Sequence, residues 1–143
     1  MREITRIIMH CSATEAGRDF DAEDIRTWHK ARGWSDIGYH YVIKLDGTIE
    51  AGRPVDRVGA HTKGHNEDSV GVCYIGGLKD GKPFDTMSEI QEIAFIELVF
   101  SLRNVFGWMP IHGHNEFAAK ACPSFNVQVK YKFLNLNNGI HYH

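Results

Sequence analysis

The chain has 143 residues, 43% of them apolar and 24% charged, with a formal net charge of -2. That is the length of about one domain and the mix of a soluble globular protein, which excludes disorder, collagen and coiled coil as overall classes. The balance of charge also gives no reason to expect electrostatic capture of nucleic acid. Nine histidines and an odd three cysteines exclude a full disulfide framework and raise the question of a metal.

Ile4 to His10 is a β-branched run and reads as a buried strand. Asp19 to Arg32 reads as a helix, with Asp21 as its cap, Ile25, Trp28 and His29 on one face, and Gly33 as its stop. Tyr39 to Lys44 and Thr48 to Ala51 flank Asp46-Gly47, the signature of a hairpin. Residues 52–69 have little periodicity, and a structureless loop of that length usually has a function. Val70 to Ile75 is a second buried strand, and Lys79 to Asp85 a polar turn segment.

Ser88 to Phe106 carries apolar residues at 3–4 spacing, with Ser88 able to cap it and Gly107 to end it. Pro110 to Gly113 reads as a short strand leading into His114. Phe125 to Phe133 reads as a last helix, and Leu134 to His143 as a loose or docked tail. Strands alternate with helices, so the expected class is α/β: a single domain over residues 1–143, its core about 4–133, with one central mixed β-sheet flanked by helices.

No apolar stretch approaches the roughly 20 residues of a membrane span. The N-terminus has no apolar core or cleavage site of a signal peptide. The expectation is a protein made in the cytoplasm, with neither a membrane nor nucleic acid as partner.

His10 and His114 each stand where a predicted strand ends, the usual place for a site in an α/β sheet. Cys122 follows His114 by eight residues, close enough for a loop to fold back. Two imidazoles and a thiolate are the three protein ligands of a catalytic zinc site with one open position. No short zinc motif is present, and spacing alone is equally met by hydrogen-bonded core histidines and a buried thiol.

Seven stretches occur in order along the chain: His10-Cys11-Ser12-Ala13-Thr14; Trp28-His29-Lys30 with Arg32-Gly33-Trp34; Asp36-Ile37-Gly38-Tyr39-His40-Tyr41; Asp46-Gly47-Thr48-Ile49-Glu50-Ala51-Gly52-Arg53; Gly59-Ala60-His61 with Gly64-His65-Asn66; Ser69-Val70-Gly71-Val72-Cys73; and Lys120-Ala121-Cys122-Pro123-Ser124-Phe125. Together they resemble the type 2 N-acetylmuramoyl-L-alanine amidases, a family that includes short phage endolysins and the peptidoglycan recognition proteins. The resemblance covers roughly residues 5 to 130.

The resemblance implies one Zn2+ ion held by His10, His114 and Cys122, with Tyr39 and Lys120 as catalytic residues. It implies hydrolysis of the amide between N-acetylmuramic acid and L-alanine in peptidoglycan, by a monomer that reaches the cell wall after release or export. Related enzymes often carry proline just before the lysine, where this chain has Ala119. His112 competes with His114 for the second ligand position and is set aside on the expectation that it faces the other way. His61, His65 and Asn66, in the long loop, are expected to line the substrate groove. His40 is expected in packing or second-layer hydrogen bonding, His29 in the structure of its helix, and Cys11 and Cys73 as buried thiols.

The rival reading is a non-catalytic peptidoglycan-binding module of the same fold. Such forms commonly lose the ligand cysteine, and Cys122 is present. A third reading, a regulatory partner of another protein, is neither favoured nor opposed by these residues.

Overall fold

A computed structural model of the chain describes residues 2–136. The tail expected at 134–143 lies outside the described residues from 137 onward.

Strand β1 (Arg6–Cys11) sits inside a five-stranded sheet with β3 (Tyr41–Ile43), β4 (Ile49–Ala51), β5 (Ser69–Tyr74) and β8 (Ile111–Gly113). The order is β4-β3-β5-β1-β8. The β3–β4 hairpin is antiparallel and every other pairing is parallel, so the sheet is mixed as expected. Its turn is the predicted Asp46-Gly47: the Asp46 carboxylate accepts from the Thr48 N–H at 2.9 Å, and Gly47 takes a φ of +85°. Strand β3 starts two residues later than expected, at Tyr41.

The segment expected as a turn at Lys79 to Asp85 is more than that. The chain holds a second, three-stranded sheet made of β2 (Thr14–Glu15), β6 (Gly77–Lys79) and β7 (Lys82–Pro83). Strands of two or three residues are too short to carry a hydrophobic period, so Lys79 to Asp85 read only as a turn.

Both faces of the large sheet are covered, as parallel strands require. On one face Ile7, Met9, Val70, Val72 and Tyr74 meet Phe95, Leu98, Val99 and Leu102 of α2 (Glu89–Phe106). On the other, Val42 and Cys73 meet Ile25 of α1 (Ala22–Ala31) and Ile37. Both helices begin with a capping box: Asp21 pairs with Asp24, and Ser88 with Gln91. Gln91 is fully buried, and its side-chain amide donates to the Ile75 carbonyl at 3.1 Å, closing the end of β5.

The last expected helix is two four-residue helices, α3 (Val127–Lys130) and α4 (Lys132–Asn135), broken at Tyr131. Tyr131 and Leu134 are buried in the core. The buried Arg103 guanidinium ties this segment down, donating to the carbonyls of Met109 and Leu134.

The alternation along β5 decides where a site can form. Val70, Val72 and Tyr74 point into the α2 core, so Ser69, Gly71 and Cys73 point the other way. That second face is made of small residues, and the histidines gather over it.

Candidate metal centre and substrate cleft

His10 is the fifth residue of β1 and is 1% exposed. Its neighbour strand β8 runs parallel, with Met9 paired to Gly113. The next residue on each chain is therefore His10 and His114, and their rings lie 4.6 Å apart. His114 opens a short 3-10 turn, His114–Glu116, after which the chain loops back to Cys122. The Cys122 Sγ lies 3.6 Å from His10 Nδ1 and accepts the Cys11 backbone N–H at 3.3 Å. Ser124 holds the returning loop by donating to the Gly77 carbonyl at 2.8 Å.

The three residues each bring one donor atom, and these atoms all lie within 4.8 Å of one another. Two imidazole nitrogens and one sulfur are a donor set suited to zinc. Burial pushes His10 well below the ordinary imidazole value, with His61, His114 and Lys120 adding to the shift. His114 is shifted down by burial and by Lys120. Both are therefore neutral near pH 7 and can donate a lone pair. Cys122, first of all, brings the Cys11 thiol down to about 7, while Cys11 and burial raise the Cys122 thiol, so the two sulfurs lose a first proton more easily than a second. Of the two sulfurs, the one grouped with both imidazoles is that of Cys122.

Tyr39 stands beside the cluster, its ring 5.0 Å from that of His10 and 5.4 Å from that of His29. Burial among the thiols of Cys73, Cys122 and Cys11 pushes its hydroxyl well above the ordinary phenol value, so it stays protonated. Lys120 is exposed. It lines a cleft of about 530 Å³ on one side of the cluster and one of about 210 Å³ on the other. His114 also lines both, so the two clefts meet at the candidate metal site. Trp34, Phe117 and Asn66 wall the larger one; Arg32, Trp28 and Tyr39 wall the smaller.

The three loop residues expected in the groove take different places. His61 is buried beneath the larger cleft, with Nδ1 2.8 Å from His10 Nε2. Asn66 lines that cleft, and its side-chain oxygen also accepts the backbone N–H groups of His61 and Thr62 at 3.0 and 2.8 Å. The His65 ring packs on Phe117 at 4.2 Å.

His112 departs from expectation. It pairs with Ile8, two residues before His10, and so falls on the same face of the sheet as His10. That position is two residues short of the cluster, and the Glu116 carboxylate meets its Nδ1 there at 2.9 Å. His40 and His29 are structural. His40 Nδ1 accepts the Gly71 N–H at 3.0 Å and its Nε2 donates to the Arg57 carbonyl at 2.8 Å. His29 Nδ1 accepts the Gly38 N–H at 2.9 Å.

The N-acetylmuramoyl-L-alanine amidase family model (Amidase_2) matches residues 1–125. An endolysin of Enterobacteria phage K11 is 44% identical over 128 residues, which are 89% of this chain and 85% of that protein. An endolysin of Escherichia phage T7 is 43% identical over 125 residues, 85% of this chain and 82% of that one. Among solved structures, the N-acetylmuramoyl-L-alanine amidase LysC from Clostridium intestinale URNW superposes with a TM-score of 0.77 at 28% identity. It covers 92% of this chain and 87% of its own. With an open mixed sheet and donors converging at its strand ends, the protein has the fold of the amidases and the peptidoglycan recognition proteins. The chain belongs to the N-acetylmuramoyl-L-alanine amidase family and is a hydrolase of peptidoglycan amides.

Proposed function

We propose that the protein is a zinc-dependent N-acetylmuramoyl-L-alanine amidase that lyses cell walls. His10, His114 and Cys122 hold one zinc ion, and Tyr39 and Lys120 act on the substrate. The observation that carries this reading is the convergence of the three donor atoms within 4.8 Å at the meeting point of two clefts.

The amide to be cut joins the lactyl group of a sugar to a peptide, so the substrate extends both ways from the reacting carbon. Clefts on either side of His114 and Lys120 suit a substrate of that shape. Zinc in a site of three protein ligands supplies Lewis acidity and lowers the pKa of water toward neutrality.

The chain's own residues supply the rest. The Lys120 ammonium is a compact positive charge at the junction of the clefts, placed to stabilise the oxyanion that develops on the carbonyl. The protonated Tyr39 hydroxyl is a donor for that oxygen or for the leaving amine of L-alanine. The aromatic walls of Trp34 and Phe117 give the larger cleft apolar surface against which a substrate can be held still. In this reading the chain acts as a monomer and meets the wall after release or export. No helix among the described residues is long and apolar enough to cross a membrane.

Purified peptidoglycan incubated with the protein, with and without a chelator, tests the reading by mass spectrometry. Free stem peptides beginning at L-alanine are expected, and their loss on chelation. Disaccharides released with stems intact, or cleavage indifferent to the chelator, would overturn it.

A further inference from the structure

His61 is 51 residues from His10 in the chain, yet the two imidazoles meet edge to face at 2.8 Å. The far side of the His61 ring ends on Ser69, whose Oγ lies 3.2 Å from His61 Nε2. The Ser69 hydroxyl also lies 2.7 Å from the His65 carbonyl, which can only accept. That settles the direction of every proton in the row. Ser69 donates to His65, so its oxygen accepts from His61 Nε2–H. His61 Nδ1 is then bare and accepts from His10 Nε2–H. Thr62 Oγ1, 2.9 Å from His61 Nδ1 and 3.2 Å from His10 Nε2, fits the same arrangement. His10 is left with a bare Nδ1, the atom that faces Cys122.

The fold makes room for this row. A Cβ at Gly71 would stand 2.5 Å from the His61 ring, and one at Gly59 2.7 Å. Neither glycine has a positive φ there, so the absent side chain is a matter of space. Asn66 fixes the loop at the same point by gripping the His61 and Thr62 N–H groups.

We propose that His61, oriented by Ser69, is a positioning residue for the metal centre: its Nδ1 accepts a hydrogen bond from His10 Nε2–H and so holds that imidazole with Nδ1 free to bind zinc. The proposal deepens the zinc reading above and rests on it. Partners of this kind commonly change metal affinity by 10–100-fold.

Nitrogen-15 imidazole spectra of the zinc-free protein at pH 7.5 read the His10 tautomer without any metal. Nε2–H is expected in the wild type and a mixture in His61→Leu. His61→Gln offers an amide oxygen as acceptor and is expected to restore Nε2–H. Chelator competition is expected to show zinc bound 10–100-fold more weakly by His61→Leu and near wild-type tightness for His61→Gln. Should His61→Leu fail to fold, Ser69→Ala removes the anchor of the same ring and is expected to shift both readings in the same direction.

A wild-type His10 protonated at Nδ1, or a folded His61→Leu that binds zinc as tightly as wild type, would overturn the proposal. A wild type that takes up no zinc while showing His10 as Nε2–H sinks the zinc reading alone and supports the orienting role of His61.

Discussion

The Tyr74 hydroxyl donates a 2.7 Å hydrogen bond to the Pro123 carbonyl, joining the end of the central strand β5 to the residue after Cys122. The pair is buried, and Tyr74 has no exposed surface. A rigid strand thereby holds a loop that must return its sulfur to one point. Tyr74→Phe strands that carbonyl without its donor, which costs about 1–3 kcal/mol. The expected result is a lower unfolding midpoint together with weaker zinc binding, read by denaturant titration and chelator competition. Unchanged zinc binding would mean that Cys122 is positioned by its other contacts.

Removing a proposed ligand separates the metal from the fold. Cys122→Ser and His10→Ala are each expected to lose stoichiometric zinc and nearly all wall lysis. Cooperative unfolding is expected to survive, because the two apolar layers flanking the sheet remain. Turbidity of wall suspensions and metal analysis check this together. Lysis that persists in both variants without zinc would sink the mechanism.

Tyr39→Phe and Lys120→Ala are expected to keep zinc and lose rate, by about 10²-fold or more for each. Both side chains lie at the clefts rather than in the donor cluster. Hydrolysis rate and zinc content measured on the same samples decide the matter. A variant that loses zinc instead contradicts its assigned role.

Stability should fall on mild acidification. Burial, first of all, brings His29 and His40 down to about 4 from the ordinary 6.5. Between those values the unfolded chain binds protons that the folded chain refuses. Their contribution is fully present above about pH 6.5 and is lost as the pH falls through 4. The cost approaches ~3 kcal/mol for each ring, at ~1.4 kcal/mol per pKa unit. Denaturant titrations of the zinc-free protein between pH 7 and 4.5 check this, and His40→Gln should flatten the slope.

Long elements and end signals were legible in the sequence. The capping residues Asp21 and Ser88, the Asp46-Gly47 turn and the β-branched run ending at His10 each act through local chemistry, so the chain carries them openly. The grouping of His10, His114 and Cys122 was legible because strand ends and family motifs coincide on them. The small sheet was not, since its strands owe their existence to pairing across some 60 residues, as between Thr14 and Gly77. Nor was the break at Tyr131, which tertiary burial imposes on a helical pattern. His112 was misplaced: its pairing with Ile8 puts it on the face of His10, two residues short of the cluster. The place of His61 was hidden by the same distance in sequence. One trace of it was present: Ser69, Gly71 and Cys73 alternate with Val70, Val72 and Tyr74, a strand with one bulky side and one slight side.

That slight side has a consequence for how the chain finds its native pairing. A strand that slips by one residue turns over and presents its other side. For β5 the slip would place Val70 or Val72 under the His61 imidazole, where a single Cβ already collides. Gly71 therefore works as a keyway: the ring enters in one alignment of β5 against β1 and jams in its neighbours. The imidazole that lies against His10 is thereby also fitted to one register of the sheet beneath it.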